Sequence, residues 1–77
     1  MTLLETDYKH IVLDDNGVSR IAGTSMKVME LVLTKLADNL TPEELQKEYP
    51  YLSMGQIYSA LAYYSDHKAE LDAETAR

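Results

Sequence analysis

The sequence has no cysteine, so no disulfide can staple it and no thiolate can hold a metal. Its two histidines, His10 and His67, are isolated and cannot complete a zinc shell alone. No apolar run approaches the ~20 residues that span a bilayer. Bases are scarce as well: seven Lys and Arg face thirteen Asp and Glu, a formal charge of −6. Nucleic-acid modules typically carry a basic face, so this balance repels phosphate at long range and leaves only local, partner-assisted contact with DNA. The first residues, Met1-Thr2-Leu3-Leu4-Glu5-Thr6-Asp7, hold acids where a signal peptide would hold bases. A soluble, cytoplasmic protein is the expectation. No internal repeat or low-complexity linker interrupts the chain.

Seventy-seven residues make one domain. A chain of this size buries roughly 60% of the surface its unfolded form exposes, which leaves a monomer marginal. With disulfides and metals excluded, oligomerisation is the remaining staple.

The expected fold class is mainly α: an N-terminal β-hairpin, then a three-helix domain of helix-turn-helix type that is expected to dimerise. Asn16-Gly17, between β-formers at Ile11, Val12, Val18 and Ile21, predicts a tight type I′ hairpin over about residues 10–22. That register sets Val12 against Ile21 and Leu13 against Arg20. Gly23 then breaks the strand, and Thr24 or Ser25 can cap a first helix over about 25–38. Its predicted stripe is Val28, Leu31, Val32 and Leu36, widened by Met29 and Leu33. Asn39 suits a left-handed cap, with Leu40 tucked beneath it. Thr41-Pro42-Glu43-Glu44 is a strong start signal for a second helix over about 42–49, which Pro50 stops. Ser53-Met54-Gly55-Gln56 is another capping box and opens a third helix over about 53–71. Residues 1–9 read as an extension of the single domain at 10–71, and the acidic 72–77 as a frayed tail.

The residues from Leu36 to Leu45, then Glu48-Tyr49-Pro50, Leu52, Ile57 and Ala60-Leu61-Ala62-Tyr63, resemble the DUF433 pattern "L-x-x-G-x-S/T-P-E-E-I/L … Y-P-x-L … I-x-x-A-L-A-Y" over about residues 10–68. Upstream, Gly17 and Ile21-Ala22-Gly23-Thr24 resemble that family's "G-x-P-V-I-R-G-T-R-I-P-V" segment. Ala22 and Ser25 stand where the family has arginines, and Ser19 and Lys27 where it has prolines. The resemblance implies a homeodomain-like domain and an antitoxin of VapB type, paired with a PIN-like ribonuclease toxin.

Two groups of residues stand out as candidates. Five of the six tyrosines fall between Tyr49 and Tyr64. If Ile57, Leu61 and Tyr64 face the core, then Met54, Tyr58, Ala62 and Tyr63 form a second apolar face, expected at a homodimer or partner interface. Arg20, Thr24, Ser25, Lys27, Ser53, Gln56 and Ser59 are the candidate DNA or partner contacts. Among them only Gln56 is a good base reader, and no Lys or Arg occurs between Lys47 and Lys68. The same capping-box spacing gives Ser53 and Gln56 a plain structural role. No phosphate loop, metal cluster or nucleophile with a base is visible, so no catalytic residue, metal, cofactor or small-molecule substrate is expected. The function expected is a non-enzymatic interaction module. It would bind a protein partner, with any operator DNA bound in the complex; a DNA-binding regulator or a structural adaptor are the alternatives.

Overall fold

The computed structural model describes residues 3–75. The fold consists of a three-stranded antiparallel sheet and four helices. The strands are β1 (Leu4–Glu5), β2 (Ile11–Leu13) and β3 (Ser19–Ile21), in that order across the sheet. The helices are α1 (Val28–Asp38), α2 (Pro42–Glu48), α3 (Met54–Asp66) and α4 (Lys68–Thr75). α3 packs chiefly on α1 and α2, while β2 and β3 lean on α3 and α1. The centre is apolar: Ile11 and Ile21 from the sheet, Val28, Leu31 and Val32 from α1, Leu45, Leu52, and Ile57 with Ala60 from α3.

The hairpin departs from the expected one. β2 and β3 pair as Ile11 with Ile21, Val12 with Arg20 and Leu13 with Ser19. Gly17 donates to the Asp14 carbonyl at 2.9 Å and Asp14 to the Val18 carbonyl at 3.0 Å, closing a three-residue loop. Only Gly17, at φ +76°, sits in the left-handed region there, whereas a type I′ turn would need Asn16 in it too. The cause is Asp14: its carboxylate accepts the amides of Asn16 (2.9 Å) and Val18 (3.0 Å) and so rewards the wider loop. The one-residue slip sends Ile11 and Ile21 together into the core, where the tight register would have split them.

β1 was not expected within residues 1–9, because two residues give no periodicity to read. Residues 1 and 2 lie outside the described stretch. The first helix starts three residues later than expected. Thr24 does not cap it; its hydroxyl accepts the Met26 amide (3.1 Å) and donates to the Ile21 carbonyl (2.8 Å), holding a turn instead. Lys27 pairs with Arg20 in a β-bridge, and the Glu30 carboxylate receives the Lys27 amide at 2.9 Å to begin α1. Leu36 is 58% exposed, since it lies about 80° around the helix from Val28.

Other signals match the structure closely. Asn39 is left-handed at φ 52°, and Leu40 donates to the Lys35 carbonyl at 3.0 Å beneath it. Thr41 and Glu44 form a reciprocal capping box, as do Ser53 and Gln56. The third helix is broken, however: His67 (φ −122°, ψ 28°) separates α3 from α4. The tail expected at 72–77 is helical as far as Thr75, and residues 76 and 77 lie outside the described stretch.

Ser19 is 2% exposed and its hydroxyl has no hydrogen-bond partner among the described residues. An unpaired buried hydroxyl costs about 1–3 kcal/mol, so Ser19→Ala should leave the fold unharmed or stabilise it by about 1 kcal/mol. A lowered urea midpoint for that variant would show that the hydroxyl has a role.

Candidate functional site

The candidate contact residues fall into one neighbourhood, with an exception. Between β3 and α1 the chain loops through Gly23, at φ +82°, and Thr24-Ser25. Arg20 reaches over this loop: its Nε donates to Asp14 at 2.7 Å and an Nη to the Ser25 carbonyl at 2.6 Å. A shallow groove lined by Leu3, Asp14, Asn16, Arg20, Thr24 and Ser25 runs beside it. On another side, Tyr51 lines a second shallow depression together with Thr24, Ser25 and Met26. The start of α3 joins the same loop through Gln56, whose amide nitrogen donates to the Ala22 carbonyl at 3.2 Å. Arg20, Thr24, Ser25, Lys27, Ser53 and Gln56 are thus brought together. Ser59 is half-buried further along α3 and does not join them.

Much of the polar chemistry here is already used. The Gln56 carbonyl accepts the Ser53 amide at 2.8 Å while its nitrogen holds Ala22, so the amide face that could read a base is engaged at both ends. The Arg20 guanidinium is likewise committed to Asp14 and Ser25. That contact, with the Val18 and Asn16 amides, holds the Asp14 carboxyl below its ordinary value. A carboxyl with a lowered pKa in the folded state stabilises it above the unfolded value near 4, and that contribution is lost as pH falls through the folded pKa. Acid titration of the fold should therefore show a loss below about pH 4 that Asp14→Asn diminishes. An unchanged acid limb in that variant would contradict the assignment.

The candidate interface is only partly as expected. Tyr58 is 51% exposed and Ala62 is exposed, while Met54 is half-buried against the core. Tyr63 is the correction: it is 8% exposed, buried in the chain's own core rather than on an outer face. α3 turns Ile57, Ala60 and Tyr63 inward, with Leu61 and Tyr64 half-buried. The reason is Tyr8, from the segment before β2, whose ring meets Tyr63 edge to face at 5.2 Å. Tyr58 donates its hydroxyl to Glu43 at the start of α2 (3.2 Å), and the Glu43 charge pushes the phenol up from its ordinary value.

Leu33 and Leu36 on α1 and Tyr51 in the α2–α3 turn are exposed apolar side chains that were not picked out as surface, as are Leu3 and Leu4. An α1 stripe read by period alone assigned Leu33 and Leu36 inward. A cluster of Tyr8, Tyr63, Asp66 and His67 was also missed, because Tyr8 lies more than fifty residues before the other three and shares no motif with them. His10, read as a strand residue, is left-handed at φ 71° and sets its imidazole over Gly55 at the start of α3. Among the described residues no His, Asp or Glu group has the geometry to hold a metal, and no helix is long and apolar enough to cross a membrane.

The family model for proteins of unknown function named DUF433 matches residues 16–64, from the hairpin loop almost to the end of α3. The chain belongs to the DUF433 family. No curated protein and no solved structure matches it. The DUF433 stretch contains the whole β3–α1 loop, both capping boxes and Tyr58, while β1, β2, His67 and α4 lie outside it. Ala22, where the family pattern has an arginine, contributes the carbonyl that Gln56 binds.

Proposed function

We propose that this DUF433 chain is a non-enzymatic, cytoplasmic interaction module that pairs with itself and with a protein partner. The observation that carries the reading is apolar surface. Leu33, Leu36, Tyr51 and Tyr58 are each 45–63% exposed on a domain too small to spend such side chains idly. Tyr58 and Ala62 on α3 form the self-association face, with Met54 at its edge. α1, α2 and α3, with the Tyr49–Ser53 turn, act as a helix-turn-helix platform of homeodomain-like type. A VapB-type antitoxin with a PIN-like nuclease as its partner is the specific role the family resemblance supports.

Binding to bare DNA is the weaker reading. Two nitrogens of Arg20 and the amide nitrogen of Gln56 already donate within the chain, and each neutralised phosphate would need a Lys or Arg that α3 does not supply. DNA contact belongs to a complex with the partner rather than to this chain alone. Co-purification of the tagged chain from its own cell, with quantitative identification of what is retained, tests the partner. A stoichiometric nuclease supports the antitoxin role; repeated recovery of the chain with nothing but itself contradicts it.

A further inference from the structure

We infer that Tyr8 is a latch coupling the N-terminal strand to the last helix, so that β1 and α4 open and close as one unit while the core of α1, α2 and α3 stays folded. Neither end has much of its own to hold it. β1 pairs with β2 through only Leu4 with Leu13 and Glu5 with Val12, and Leu3 and Leu4 are more than half exposed. α4 has eight residues, far below the length at which an isolated helix is stable in water, and contributes Leu71 to the core.

Both ends rest on the same side chains. The Tyr8 hydroxyl donates to the Asp66 carboxylate, the last residue of α3. Its ring sits edge to face against Tyr63 at 5.2 Å and against His67 at 5.9 Å. His67 in turn stacks on Tyr63 at 4.3 Å and carries the break between the helices. From there its carbonyl accepts the Leu71 amide at 3.1 Å, and its imidazole lies 3.7 Å from Glu70, so the angle at which α4 leaves α3 is set at this residue. On the other side, Thr6 donates its amide to the Ile11 carbonyl (3.3 Å) and its hydroxyl receives the Tyr8 amide (3.1 Å), which ties the strand to the latch. Aromatic pairs of this kind add stabilisation beyond area burial, and here one ring serves two otherwise weak elements. Both elements also lie outside the stretch that matches the family.

Coupling of this sort must be reciprocal. Native-state hydrogen exchange on the full chain reads both ends at once, through the Thr6 and Leu71 amides. Tyr8→Ala should speed exchange at both by about tenfold or more while the α1 and α2 amides keep their wild-type rates. If Tyr8→Ala fails to fold, Tyr8→Phe, which loses only the bond to Asp66, should show the same paired rise, smaller in size. Ala69→Gly, on the exposed side of α4, should loosen that helix by about fivefold and carry the Thr6 amide with it. Exchange at Leu71 that is unmoved when Thr6 opens, or an equal rise across every helix, would overturn the latch.

Discussion

Tyr63→Ala is expected to remove about 3–5 kcal/mol of stability, the usual cost of truncating a large buried aromatic. A domain of 77 residues has about 4–12 kcal/mol in total, so this one change should remove a large share of its stability. The loss has two parts. The ring is 8% exposed, so its burial is lost, and the edge-to-face partner Tyr8 and stacked partner His67 are left facing a void. Tyr58→Ala, on the same helix but half exposed, should leave the fold of each chain intact. Urea unfolding of the two variants at one protein concentration separates the cases. A Tyr63→Ala midpoint close to that of wild type would show that Tyr63 is not a core residue.

The contrast between these two tyrosines also marks how far the sequence could be read. Signals confined to a few residues were legible: Thr41-Pro42-Glu43-Glu44, Ser53 with Gln56, and Asn39 each specify a local hydrogen-bond pattern, and each appears as the sequence implies. Period told which segments are helical but not which way they are turned. α3 has apolar residues nearly all round, so its inward face is decided by what packs on it. That is Tyr8, from a segment with no periodic signal. The hairpin failed for a related reason: Asn16-Gly17 named the loop, while the Asp14 carboxylate chose its width. As for the candidate site, the residues singled out between Arg20 and Lys27 lie beside the start of α3. The sequence could not show that the Gln56 amide donates to the Ala22 carbonyl, since that bond joins residues 34 apart in the chain.

Self-association through Tyr58 is the claim on which the account most depends. The phenol is 51% exposed beside Ala62, and in a dimer both would be covered. Tyr58→Asp would place an unpaired carboxylate in that contact, close to Glu43, which already holds the phenol hydroxyl. Burying a charge without a partner is costly, so the dimer should weaken by about tenfold or more. Tyr58→Phe keeps the ring and should still dimerise. Sedimentation equilibrium at micromolar concentration decides it: the account predicts a wild-type dimer that Tyr58→Asp converts toward a folded monomer. A wild-type chain that is a well-folded monomer at that concentration would contradict it.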